Sequence, residues 1–200
     1  MKKFMCVLLT MALALTAVTA FAATPSKTTA NTTRVVTNSS EGQGVLVFVT
    51  EDAEEVLAEI AKVFTAVNTD GMAPIEYFAE DVQAAVAALL PEGFDLKTLE
   101  LNEFVTVDQI DYTDAIGDVT AYFEFATPYA VGQKLVMLLG FYSGEKDAQD
   151  NYEVEWVALA AEVQEDEDGL VAVTIPAECM VKMQTSKAVA AAVLSEPVAE

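Results

Sequence analysis

Residues 119–125 read Val-Thr-Ala-Tyr-Phe-Glu-Phe. Val119, Ala121, Phe123 and Phe125 alternate with Thr120, Tyr122 and Glu124, the period of a strand with one buried and one solvated face. The same period runs through Leu99, Leu101, Val105 and Val107, with Glu103 falling among them. Leu135 to Tyr142 is apolar on both faces, which predicts a central strand. Val154 to Val163 and Leu170 to Ile175 flank Glu165-Asp166-Glu167-Asp168-Gly169, whose Asp-Gly step predicts a hairpin. Pro176 to Thr185 reads as a short helix. Ala188 to Leu194 reads as a strand or a helix, because its alanines suit both.

Upstream of residue 94 the period changes. Val45 to Val49 is a continuous β-branched run that reads as a buried strand. Thr50 then reads as a helix cap, followed by Glu51, Asp52, Glu54 and Glu55 at the positive end of a helix dipole. Val56, Ile60, Val63 and Val67 form a helical stripe, with Leu57 and Phe64 beside it, and Asn68-Thr69-Asp70-Gly71 stops it. A second helix is expected from Pro74, with Ile75, Phe78, Val82, Ala85, Val86 and Leu89 on its apolar face and Pro91 and Gly93 at its end. Helices and strands are thus segregated, which predicts an α+β fold: a helical hairpin near the N-terminus, then a mostly antiparallel sheet of about five or six strands. A β-sandwich with an added helical hairpin is the alternative.

The start of the chain carries a different signal. Lys2 and Lys3 precede an apolar run that ends in Ala20-Phe21-Ala22. This is the pattern of a secretory signal peptide over residues 1–22, with cleavage expected after Ala22. Residues 23–44, rich in Thr, Ser, Asn and Gly, have little to bury and read as a flexible polar linker. Residues 45–200 are expected to form a single α+β domain. The expected location is secreted or in the cell envelope, with no membrane insertion once the signal is removed.

The 200-residue chain holds 32 acidic and 10 basic residues, for a net charge of −22, and no histidine. Such a surface repels nucleic acid and anionic lipid, because phosphate binding needs clustered Lys and Arg. It favours cationic partners or divalent ions. Cys6 would leave with the signal, so Cys179 would stand alone and no internal disulfide can form. A lone cysteine of this kind reads as a small buried hydrophobe.

Catalytic chemistry finds little to use. Histidine-dependent triads and metal sites are excluded, and Ser186-Lys187 are adjacent and so face apart on a helix or strand. A carboxylate-based glycan hydrolase would need two carboxyl groups at a set separation beside a sugar-binding surface. Glu103, Glu124 and Glu155 on predicted strands, near Phe104, Tyr122 and Trp156, are the residues that suit it. Exposed tyrosines are expected at Tyr122, Tyr129, Tyr142 and Tyr152, and Trp156, which shares the parity of Tyr152, Val154 and Ala158, reads as core, with stacking on a sugar ring as the alternative. Tyr122, Glu124, Tyr142 and Trp156 are therefore the candidate ligand-binding residues. Calcium is the one cofactor the composition suggests, and Asp108, Asp111, Asp114 and Asp118 are the candidate ligands in an inter-strand loop. Glu165 to Asp168 superficially resembles part of an EF-hand loop, but that alignment puts Gln164 and Ile175 at the first and last ligand positions, where Ile175 cannot coordinate. The expectation is an exported, acidic interaction or structural module that does no chemistry, with an extracytoplasmic polymer or protein as partner. The glycan hydrolase and a calcium-stabilised structural domain are the alternatives.

Overall fold

The computed structural model describes residues 34–38, 45–48, 53–110, 117–125, 129–165 and 170–197, with the backbone alone for 34–38, 45–48 and 108–110. Strands β1 (Arg34–Asn38) and β2 (Val45–Phe48) come first, then helix α1 (Glu54–Asn68), a 3-10 turn at Pro74–Tyr77 and helix α2 (Glu80–Leu89). Six strands follow: β3 (Glu100–Ile110), β4 (Val119–Glu124), β5 (Leu135–Lys146), β6 (Tyr152–Val163), β7 (Val171–Ile175) and β8 (Ala188–Ser195). Helix α3 (Ala177–Thr185) lies between β7 and β8. The fold is α+β, a helical part followed by an antiparallel sheet.

All eight strands join one sheet in the order β1-β4-β7-β6-β5-β8-β3-β2. Every neighbouring pair is antiparallel. The sheet is curled, so that β1 and β2 come alongside one another. A sandwich of two sheets is therefore not formed. Strand β1 falls inside residues 23–44 and pairs with β4.

The curl has a filled interior. Val105, Phe123, Met137, Leu139, Val173 and Val193 face inward, and α3 packs Cys179, Met180 and Met183 against them. The outer face of β3, β8 and β5 carries a second apolar layer, Leu101, Phe104, Val136, Leu138, Ala190 and Leu194. Helices α1 and α2 cover that layer with Val56, Val63, Val67, Val82 and Val86. Strand β5 is buried on both faces from Leu135 to Tyr142, and β8 is buried throughout. Alanine at 188, 190, 191 and 192 suits a strand packed on both sides, since small side chains let neighbouring layers approach.

Several local expectations are corrected. Helix α1 is capped at Ala53, without a side-chain bond, rather than at Thr50. The Ala53 amide instead donates to Thr106 Oγ1 of β3 at 3.3 Å, which ties the helix to the sheet. The helix expected from Pro74 is split, because Phe78 and Ala79 adopt extended dihedrals between the 3-10 turn and α2. Ala85 and Leu89 are exposed, and Leu90 is buried in their place. In β3 the register shifts between Leu101 and Glu103. That bulge puts Leu99 and Leu101 on the helix side and Val105 and Val107 inside the curl. Strict alternation would have put all four on one face.

Candidate functional site

The helices cover β6 from Tyr152 to Ala158 but leave the outer face of β4, of β7 and of the Ala160–Glu162 end of β6 uncovered, and an open groove of about 1210 Å³ lies along it. Thr120 and Tyr122 of β4, Ala172 and Thr174 of β7, and Ala160 and Glu162 of β6 form its floor. Their alternation follows from the pleat: the residues between them, Ala121, Val173 and Ala161, pack on the inner core. The register places Tyr122 opposite Ala172, and Ala172 opposite Glu162, in one row across three strands. Along the next row Thr120 and Thr174 share a hydrogen bond between hydroxyls at 3.0 Å.

One wall is the end of α2, with Leu89 exposed to the groove and Leu90 beneath it. The other is the turn at residues 130–134. Gly132 has φ +84°, a left-handed conformation that suits glycine. The Gln133 side chain holds this turn: its Oε1 accepts the Ala130 amide at 3.0 Å, and its Nε2 donates to the Glu196 carbonyl at 2.8 Å. The Lys134 amide donates to a Glu196 carboxylate oxygen at 2.9 Å. Val131 at its tip is about half exposed. The wall is thus fastened to the chain that follows β8. Glu165 lies at the β6 end, beyond Gln164.

The four candidate ligand-binding residues separate into two places. Tyr122 is half-buried in the groove floor, and Glu124 is exposed on the same face of β4. Tyr142 and Trp156 meet under the helices instead, with ring centroids 6.4 Å apart and near-perpendicular planes. Trp156 also packs edge-to-face on Phe78 at 5.2 Å and on Phe104 at 5.8 Å. It is a half-buried core residue rather than an exposed stacking platform. Tyr142 is fully buried, and so is Tyr129, which corrects the expectation that both are exposed. Of the other carboxylates considered, Glu103 is fully buried on the inner face. Glu155 is exposed and ion-paired with Lys182 of α3.

A buried polar seam between α1 and the sheet had no counterpart in the sequence reading. Glu55 and Glu59 are buried on α1. Tyr77 donates its hydroxyl to Glu59 Oε1 at 2.9 Å, and Lys62 Nζ is 3.7 Å from Glu59 Oε2. The Tyr142 hydroxyl is buried and makes no hydrogen bond among the described residues. Burial, and then the charge of Glu59, push the ionisation of both Tyr77 and Tyr142 well above the usual phenol range. The visible sign was the i, i+4 spacing of Glu55 and Glu59 within the apolar stripe.

Among the calcium candidates, Asp118 caps α3, its Oδ1 accepting the Ala177 amide at 3.0 Å. Asp111 and Asp114 lie outside the described residues, as does the side chain of Asp108. Among the described residues no group of three or more acidic or cysteine side chains converges as a metal site. No helix among the described residues is long and apolar enough to cross a membrane. The chain matches no known family model, no curated protein sequence and no solved structure.

Proposed function

We propose that this protein is an exported, acidic binding module that does no chemistry and holds an extracytoplasmic polymer or protein in the groove over β4, β7 and β6. The observation that carries the reading is the groove itself, open along the part of the sheet beyond the end of α2 and floored by a half-buried tyrosine. Binding sites are concave, with a few placed polar groups on an otherwise rigid wall. Here the rigidity comes from strand pairing on the floor and from Gln133 on the rim. Export is supported by the basic and then apolar start of the chain and its Ala20-Phe21-Ala22 step.

The test is binding of the purified protein to an array of envelope polysaccharides and matrix proteins, run with calcium and with chelator. A companion variant, Ala172→Tyr, fills the floor with a side chain that strands tolerate. At least one specific ligand is expected, and its affinity should fall about tenfold or more in the variant. Equal binding by both proteins would place the ligand elsewhere and defeat the assignment. Loss in chelator alone would point to a cation-dependent contact.

A further inference from the structure

The groove has a floor of mixed aromatic and acidic chemistry. We propose that it takes the cationic side chain of an arginine or lysine carried on an extended segment of a partner protein, seated over Ala172 between Tyr122 and Glu162. This rests on the groove being the binding site. Tyr122, Ala172 and Glu162 stand side by side on three adjacent strands. Neighbouring strands are about 4.8 Å apart, so the tyrosine and the glutamate are separated by about 10 Å with only a methyl group between them. That slot has the width of one side chain. One flank is an aromatic ring, which attracts a cation through its face. The other flank is an exposed carboxylate that no ion pair engages among the described residues. Glu165 adds a second negative charge to the lining, against a single lysine, Lys134.

Charge complementarity selects the partner. A chain of net charge −22 draws cations toward any cleft, and the slot supplies the local contacts that would hold one in register. In the neighbouring row Thr120 and Thr174 bond to each other, which leaves less hydroxyl capacity for the network a neutral sugar needs. A flexible peptide presenting one planar guanidinium fits this arrangement better than a glycan does.

The experiment measures binding of dye-labelled hexa-arginine to the full chain by fluorescence anisotropy, beside hexaglutamine and a neutral oligosaccharide. Glu162→Gln and Tyr122→Leu alter the slot. Glu145→Gln removes the same charge from the opposite end of β5, where Glu145 is exposed. Hexa-arginine should bind, and each slot variant should weaken it about fivefold while Glu145→Gln changes it less than about twofold. Equal effects of Glu162→Gln and Glu145→Gln would reduce the attraction to the diffuse acidic field and overturn the proposal. Oligosaccharide binding that the slot variants abolish, without hexa-arginine binding, would overturn it in favour of a glycan. If hexa-arginine fails while Ala172→Tyr still removes an array ligand, the cation assignment falls and the groove stands. If neither responds, both fall.

Discussion

Gly140 and Trp156 are cross-strand partners in β5 and β6, and the indole lies over the glycine. A β-carbon on Gly140 would sit 2.7 Å from two atoms of that ring, a separation atoms cannot hold. Gly140→Ala is therefore expected to cost about 1–3 kcal/mol through forced displacement of the ring. Urea unfolding followed by emission of the single tryptophan measures it, and an unchanged midpoint would mean that the ring is not packed there. The two phenols near Glu59, Tyr77 and Tyr142, respond in opposite directions. Tyr77→Phe removes the donor to buried Glu59 and should destabilise by about 1–3 kcal/mol. Tyr142→Phe removes a buried hydroxyl that bonds to nothing among the described residues, so stability should hold or rise by up to about 2 kcal/mol. Both phenols ionise less readily when folded than the ordinary value of 10.0. Above about pH 10 the unfolded chain releases protons that the native one keeps, so their contribution is complete below that pH and is lost as pH rises past it. Absorbance at alkaline pH should show at least two of the six tyrosines, Tyr77 and Tyr142, titrating only as the fold is lost. All six titrating smoothly in native protein would contradict this.

At the scale of elements, Asp118 joins the turn before β4 to the first turn of α3. Asp118→Ala should cost about 0.5–2 kcal/mol, the usual loss for an N-terminal helix bond, and Asp118→Asn should recover most of it. Thermal melts of the two variants decide the point; equal losses would assign the effect to charge. Elements whose signal is local were legible in the sequence. Leu135–Tyr142 is apolar on both faces because it is central, and the alternation in Val119–Glu124 matches its burial residue by residue. The β3 bulge was not legible, since one inserted residue inverts the parity after Leu101 without changing composition. Nor was the break at Phe78-Ala79, whose residues suit a helix as well as a bend. For residues 188–194 local propensity was neutral, and pairing with two neighbours decided for a strand.

For the whole molecule, the charge imbalance dominates. With 32 acidic against 10 basic residues, the native state carries a self-repulsion that added salt screens. The melting temperature should rise between about 0.01 M and about 0.5 M sodium chloride, and a fall would show that the few ion pairs outweigh the repulsion. Segregation of helices and strands was readable from the changing period, and with it the α+β class. The strand order and the curl were not, because they are set by pairings between residues far apart in sequence. The groove followed the same rule. Tyr122 announced itself by alternation, but its companions come from α2, the 130–134 turn, β6 and β7, and only the assembled sheet brings them together.

Strand β8 also has a consequence for the order of events in biosynthesis. It lies between β5 and β3, and without it the hydrogen-bonded ladder falls into two pieces, β1-β4-β7-β6-β5 and β3-β2, that meet only where β1 runs alongside β2. A chain emerging from the ribosome presents residues 188–195 after every other described strand. The keystone is thus laid last, and cooperative closure waits until those residues have emerged.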